Sequence, residues 1–531
     1  MLGLEITVVV LAAVLFFTWA ARRLHISEPA LLLCGGCLIG LTDAFGSVEL
    51  TPDVVLLLFL PALLYWESST TSLGEIRANL RPIVLLSTSL VLATSAAVAA
   101  TAHALGLSWP VAFMLGAAVG PTDAIAVAAV ARALPRRMLT TLRAESLIND
   151  GTALVLFAVA VGIATGEHPF SWSSTVVQFV AAYAGGMAIG AVAALVIIAV
   201  RRRVHDTLIG SGLSVLTPFA TYLPAEVAHV SGVLAVVTCG LMISQFGPRV
   251  VDAGIRVMSN SFWEVSTFLL NAALFVLVGM QLPTAVRSLS SLSLSQAVWA
   301  ALAVSAVVIL TRLAWVYTVP YLIRAVDRRP QQRARRVSAR HRLPGALAGV
   351  RGAISLAVAL AVPTTTDDGE PLAGRDAIVF ITVGVILVTL VLLGQALPAI
   401  VRWARMPPDT GGEEERTAQR LISAAALEAL PVRAQRLDVP DEVVERVADE
   451  LRAHAADDDG SPGGEEPYRK AAELHRALLQ TKKEELIRLR RERLIDDTVL
   501  LRVQAVLDAE EVRLDLRYPV PPEGPDDVSG R

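Results

Sequence analysis

Charged residues and cysteines are both scarce in this chain of 531 residues. Asp, Glu, Lys and Arg make up 18% of it and 54% of the residues are hydrophobic, whereas soluble domains average about 25% charged residues. So apolar a composition excludes a disordered or fibrous protein, and also a soluble enzyme built on one core. The three cysteines, Cys34, Cys37 and Cys239, all lie in apolar stretches, so the sequence implies no disulfide framework.

The charges that do occur are divided unevenly between two parts of the chain. Residues 1–405 contain 27 basic and 20 acidic side chains, whereas residues 406–531 contain 19 basic and 29 acidic ones. The first part is a series of long apolar runs, and the second is polar. We therefore expect a membrane domain over 1–405 and an acidic, mostly helical tail over 406–531, with amphipathic helices near 413–430 and 440–456.

Thirteen stretches of the first part approach the roughly 20 apolar residues that an α-helix needs to cross a bilayer. The second and third are short for a full crossing. The pattern predicts an all-α polytopic membrane protein with about 13 transmembrane helices. The stretches lie near 4–21, 28–42, 53–66, 82–106, 109–132, 139–165, 172–200, 207–223, 226–245, 261–282, 295–322, 343–363 and 377–401.

The placement of arginines predicts how these spans are oriented. On the side reached after odd-numbered spans there are 23 arginines, whereas only Arg287 and Arg375 follow even-numbered spans. Basic loops stay on the cytoplasmic side of a membrane, so we expect the N-terminus outside and the tail in the cytoplasm. Eight of the arginines lie between residues 324 and 342. They could also meet anionic membrane lipid or the acidic tail, although orientation alone accounts for them.

Five ionisable residues lie inside the predicted spans: Asp123, Glu145, Asp150, Arg312 and Arg351. A charge at membrane depth costs about 2.5–3.5 kcal/mol even by lenient scales, so such side chains face protein or water. A structural ion pair would explain one such charge. Three acids in two consecutive spans, with one or two arginines to balance them, favour an ion path instead.

The fifth span contains the sequence Gly120-Pro121-Thr122-Asp123. Proline lacks an N–H group and clashes with a preceding carbonyl, so the helix should break at this point. Unwound backbone inside a membrane is tolerated where it lines a cavity, and many secondary transporters build ion sites from such interrupted helices.

The sixth span carries a polar face. At about 100° per residue, Glu145, Ser146, Asn149 and Asp150 fall on one side of a helix. Their carboxylate, hydroxyl and amide oxygens are hard donors that suit a small cation. The glycine-rich twelfth span supplies Arg351, which we expect to pair with Glu145 and so to leave Asp150 free to titrate.

These segments resemble the signature motifs of the sodium/proton exchanger family, the monovalent cation:proton antiporters, and its bacterial branch in particular. The resemblance extends in order along residues 1–405. It implies a homodimer, inverted repeats, an ion-carrying core that moves against a dimerisation domain, and two interrupted helices that cross, here the fifth and twelfth spans. The matching motifs are Gly120-Pro121-Thr122-Asp123, Glu145-Ser146-x-x-Asn149-Asp150 and Gly349-x-Arg351-Gly352-Ala353.

Carried over residue by residue, the resemblance makes Asp150 the ion-binding carboxylate and Glu145 and Arg351 its supporting ion pair. Arg312 receives no role beyond that of a structural partner for a carbonyl or an acid. The residues placed in or next to the ion site are Thr122, Asp123, Ser146 and Asn149.

The expected function is exchange of a monovalent cation, Na+ first and K+ or Li+ as alternatives, for H+ across the plasma membrane. Asn149 precedes the titrating carboxylate and cannot lose a proton, so we expect one cation to exchange for one proton. The sequence implies no cofactor and no nucleic acid partner.

Two other functions fit parts of the pattern. An intramembrane aspartyl protease would use Asp123 and Asp150, but Asp150 lies in Asn-Asp-Gly-Thr and lacks the Gly-x-Gly-Asp setting that such enzymes show. A channel would also line its path with backbone oxygens. Channel filters are usually rings of repeats, and the sequence has one copy of these motifs.

Overall fold

A computed structural model of the chain divides into two compact units, Met1–Pro408 and Asp409–Arg531. That the first unit carries out transport and the second forms a cytoplasmic tail stays a prediction. The structure describes residues 2–24, 27–42, 55–71, 73–78, 83–124, 126–127, 134–166, 171–247, 250–326, 338–366, 369–406 and 411–456, together with scattered positions between 477 and 514.

The described part of the first unit is helical, apart from turns and one isolated bridge between Thr365 and Pro371. Its helices are α1 (Leu2–Leu24), α2 (Glu28–Gly40), α3 (Leu60–Thr70), α4 (Leu73–Ala78), α5 (Leu90–Ala104), α6 (Trp109–Val119), α7 (Arg136–Thr165), α8 (Trp172–Arg201), α9 (Thr207–Val227), α10 (Gly232–Phe246), α11 (Ala253–Arg287), α12 (Leu294–Val326), α13 (Ala339–Leu347), α14 (Ala353–Leu360), α15 (Arg375–Val388) and α16 (Gly394–Ala404). The π-helical turns Val55–Phe59, Leu85–Ser89 and Thr389–Leu393 lead into α3, α5 and α16.

Each predicted stretch coincides with one or more of these helices, which confirms the all-α fold class. Among the described residues, seven helices are each long and apolar enough to cross a membrane, if α15 and α16 are counted as one. The apolar helices α2, α6 and α10 are shorter, so the number of crossings stays a prediction.

In the second unit, α17 (Gly411–Arg436) and α18 (Asp441–Ala456) lie where amphipathic helices were predicted. Between residues 324 and 342, five of the eight arginines fall outside the described residues.

The helices of the first unit form two bundles with separate apolar cores. Bundle A consists of α5, α6, α7, α12, α14 and α15. Bundle B consists of α3, α8, α9, α10 and α11, and Leu147 of α7 also packs into its core. A third apolar cluster joins α1, α2 and α11 to the region from α14 to α16. The close contact of α2 with α11 requires glycine, because a side chain at Gly36 would overlap the backbone of Val276.

Two helical passes are interrupted, as the fifth and twelfth spans predicted. The chain leaves the helix after Val119 and resumes it at Ala124, and it is again non-helical between Leu347 and Ala353. The backbone N–H of Asp123 donates a hydrogen bond to the carbonyl oxygen of Val350, 2.8 Å away. The two breaks therefore cross in direct contact, whereas the inverted repeats stay a prediction.

Candidate functional site

A small cavity lies against the two crossed breaks. Its volume is about 30 Å³, which is enough to admit water. Side chains of α3 and α11 from bundle B line it together with α7 and α14 from bundle A, so it lies where the two bundles meet. Its polar wall residues are Glu67, Thr122, Asp123, Ser146, Asp150, Asn271 and Ser355.

The polar face of α7 forms one wall of this cavity. Asp150 is buried, with 2% of its surface exposed, and Ser146 and Asn149 are buried beside it. The Ser146 hydroxyl donates to the Thr122 carbonyl at 2.8 Å, and the Asn149 amide nitrogen donates to the Thr122 hydroxyl at 2.9 Å. The structure thus brings the residues predicted from α7 together with Thr122 of the first break.

Two buried side-chain oxygens near Asp150 have no hydrogen-bond partner among the described residues: Oδ1 of Asn149 and Oε1 of Glu67. An unpaired buried polar atom costs about 1–3 kcal/mol. Such atoms persist where a ligand or water completes them. In this protein Glu67 lines the cavity together with Asp150, and Asn149 directly precedes Asp150 on α7.

Asp123 takes part in the crossing itself. Its Oδ1 accepts a hydrogen bond from the backbone N–H of Ala126 at 3.0 Å, which caps the helix that resumes after the break. A side chain at Gly352 would overlap the Asp123 carboxylate. Glycine at position 352 therefore lets the second break lie against the first.

Glu145 forms an ion pair with Arg312. The prediction that Glu145 pairs with Arg351 was wrong. Two guanidinium nitrogens of Arg312 reach the two Glu145 oxygens, one of them at 3.1 Å, and the exposed fractions of the two side chains are 3% and 1%. The same guanidinium donates to the Gly345 carbonyl at 3.2 Å. Arg312, whose role the sequence left open, is thus the partner of both an acid and a carbonyl.

Arg351 instead serves the backbone of the two breaks. Its guanidinium donates to the Val119 carbonyl at 2.9 Å and also to the carbonyls of Gly349 and Gly120. A broken helix leaves carbonyls without their usual donors, and the planar, multidentate guanidinium can serve several of them at once. This demand explains why Arg351 is drawn away from Glu145.

The structure adds one acid that the sequence did not indicate. Glu67, on α3, is 9% exposed and lines the cavity with Asp150 and Asp123. The predicted third span ended at residue 66, which left Glu67 in a loop. Extending that helix by one turn would have placed Glu67 on the face of Leu63 and Leu64, which also line the cavity.

The chemistry of the cavity suits a partly dehydrated monovalent cation. Its three carboxylates, three hydroxyls and one side-chain amide supply hard oxygen ligands of the kind that bind small cations. Within the described residues, no group of three or more His, Cys, Asp and Glu side chains is arranged to hold a metal ion. The cavity therefore places Asp150 near two further carboxylates, with neutral oxygens between them.

Comparison with known proteins gives a consistent result. The chain matches the family model described as Sodium/hydrogen exchanger, transmembrane, over residues 10–403. A protein of Mycobacterium tuberculosis named as an uncharacterised Na+/H+ exchanger is 44% identical over 521 residues, which is 96% of each chain. A sodium, potassium, lithium and rubidium/H+ antiporter of Bacillus pumilus is 31% identical over 389 residues, covering 71% of this chain and 58% of that protein.

The fold also has a counterpart among solved structures. The sodium proton antiporter MjNhaP1 of Methanocaldococcus jannaschii aligns with a TM-score of 0.59 over 76% of this chain and 99% of that chain. The two sequences are 18% identical, so this likeness concerns the fold alone.

Proposed function

Because the chain belongs to the sodium/hydrogen exchanger family, we propose that it exchanges Na+ for H+ across the plasma membrane, with Asp150 binding the two ions in turn. Family membership makes the protein a multi-pass membrane transporter and not an enzyme. Asp123 and Asp150, which an aspartyl protease would use for catalysis, are therefore assigned to an ion site in this proposal.

The observation that carries the proposal is the charge around Asp150. Its carboxylate is buried, forms no ion pair within the described residues, and lies in the fields of two further acids, Glu67 and Asp123. A buried carboxylate without a cationic partner is costly. Either a proton or a metal cation must accompany it, and the two compete for the same oxygens, so binding one releases the other.

Transport requires that this site face each side of the membrane in turn. The cavity has walls from bundle A and from bundle B, so a displacement of one bundle against the other would open it to one side and close it to the other. The ligands on α7 and the two breaks would move together, because hydrogen bonds join them. We propose that bundle A is the ion-carrying part.

The surroundings of the transporter are also part of the proposal. We expect a homodimer in the plasma membrane with the tail in the cytoplasm, on the basis of the family resemblance and the arginine distribution. Potassium is the second candidate cation, because the relative from Bacillus pumilus is named for transport of sodium, potassium, lithium and rubidium.

The direct test is exchange in proteoliposomes that contain a pH-sensitive dye. An outward Na+ gradient should drive protons inward in the unmodified protein, and a K+ gradient tests the second candidate. Asp150→Asn should insert and fold but show no exchange, because an amide can neither carry a proton nor balance a cation. Asp252→Asn, an equal change at an exposed carboxylate away from the cavity, is the control and should keep the parental rate. Exchange retained in Asp150→Asn would contradict the proposed mechanism.

A further inference from the structure

Arg143 lies on the face of α7 that carries the ion site. It precedes Asp150 by seven residues, which is two turns and about 10 Å along the helix axis, with an angular offset of only about 20°. Arg143 is exposed, whereas the next three residues, Ala144 to Ser146, are buried. A guanidinium group therefore stands at the end of the buried polar face, on the side from which α7 enters the bundle.

Glu67 connects this arginine to the cavity. The Glu67 carboxylate lines the cavity, has an oxygen without a hydrogen-bond partner, and interacts electrostatically with Arg143 as well as with Asp123. Arg143 forms no ion pair with a described residue, so its charge is not neutralised by a carboxylate in direct contact. Its field therefore extends into the acidic cavity.

Resting on the proposed function, we propose that Arg143 sets the affinity of the site for its cation. Three carboxylates line the cavity, and their combined negative field would bind Na+ tightly and slow its release. The positive charge of Arg143, two helical turns or about 10 Å along the axis from Asp150, repels the cation. The effective dielectric constant between them lies between the values of protein and water. Such a charge weakens binding by about threefold to tenfold. Arg143 does not line the cavity itself and acts on it through its field at Glu67.

Kinetic measurements can distinguish the proposed role of Arg143 from a purely structural role. An exposed arginine that only supported the helix would affect stability and maximal rate. An arginine that opposes the cation affects the concentration of Na+ at half-maximal rate and leaves the maximal rate nearly unchanged. Its charge also opposes proton binding at Asp150, Asp123 and Glu67, so the comparison belongs at alkaline pH, where few protons compete.

The experiment compares Arg143→Gln, Arg143→Glu and Arg143→Lys in proteoliposomes, with Na+ concentration varied at alkaline pH. We expect KM for Na+ to fall about threefold to tenfold in Arg143→Gln and further in Arg143→Glu, with maximal rates within twofold of the parent. Arg143→Lys keeps the charge and should keep the parental KM. Arg202→Gln removes an exposed arginine at the end of α8, away from the cavity, and is the matched control.

The outcomes distinguish this inference from the proposed function. A parent protein that exchanges no monovalent cation would contradict the function itself. A parent that exchanges Na+, with the same KM in Arg143→Gln and Arg143→Glu, would overturn the role of Arg143 alone. A KM shift in Arg143→Lys as large as in Arg143→Gln would also overturn it, because the charge would then not be the cause.

Discussion

Glu145 and Arg312 show how a buried charge is made tolerable in this protein. Both side chains are almost wholly enclosed, and the guanidinium meets both carboxylate oxygens. The Thr122 hydroxyl lies 3.5 Å from the same carboxylate. The pair therefore lies next to the first break and supports Thr122, which is in turn hydrogen-bonded to Asn149.

Removing one member of this pair should be more harmful than removing both. Arg312→Gln or Glu145→Gln strands a buried charge, and we expect each to lower the free energy of unfolding by about 3–5 kcal/mol. The double variant should recover much of that loss. Thermal unfolding in detergent, read as a double-mutant cycle, measures the coupling between the two positions.

The same cycle for Glu145 and Arg351 should show much weaker coupling, because Arg351 is bonded to backbone carbonyls. Strong coupling to Arg351 and none to Arg312 would restore the pairing that the sequence suggested.

The sequence identified all three charges as buried but could not choose between the two arginines. The partner of Glu145 is the arginine that does not bind the unpaired carbonyls of the breaks. Which arginine binds those carbonyls is evident only from the structure, where the two breaks cross.

At the scale of elements, the crossing of the two breaks has almost no free space. The Asp123 amide bonds to Val350, and a hydrogen takes the place of a side chain at Gly352. A methyl group at position 352 would have to displace the Asp123 carboxylate or separate the two breaks. The proposed ion site includes residues of both breaks.

Gly352→Ala should therefore abolish exchange and lower the melting temperature. Gly345→Ala is the control on α13, where the added methyl group would meet only the flexible end of Met138. We expect this control to keep both transport and stability near parental values. Proteoliposome exchange and thermal unfolding measure the two effects, and normal exchange by Gly352→Ala would show that the crossing is looser than the structure has it.

The two breaks were not equally predictable from local chemistry. Pro121 alone predicts the first, since its ring forbids a regular helix. The second has glycines but no proline at the break, so it was expected mainly from the family resemblance. Glu67 escaped prediction because α3 continues beyond its apolar residues. The last turn of α3 lines the cavity only because α3 lies beside α7 and α11 in the fold.

At the scale of the whole molecule, the proposed exchange of one cation for one proton determines how transport responds to voltage. Asn149 cannot bind or lose a proton, and Glu145 is paired with Arg312. An acid that keeps one protonation state through the cycle does not change the net charge that is moved. The loaded site then carries the same charge in both directions. The membrane potential, worth about 2.3 kcal/mol per charge per 100 mV, should do no work.

Proteoliposomes clamped with potassium and valinomycin, with Na+ as the test cation, measure this directly. We expect the Na+ gradient at which net proton flux stops to be the same at every potential. A reversal point that moves with voltage would refute one-for-one exchange and would point to Asp123 or Glu67 as a second titrating group. Glu67→Gln in the same assay distinguishes these two.

The Glu145–Arg312 pair also has a consequence for how the chain is made. Its members are 167 residues apart, and ribosomes add about 5–20 residues per second. Glu145 is therefore synthesised roughly 8–33 s before its partner exists. During that interval Arg312 cannot neutralise the carboxylate, so Glu145 on α7 must stay in contact with water, with the insertion machinery or with other spans until α12 is made.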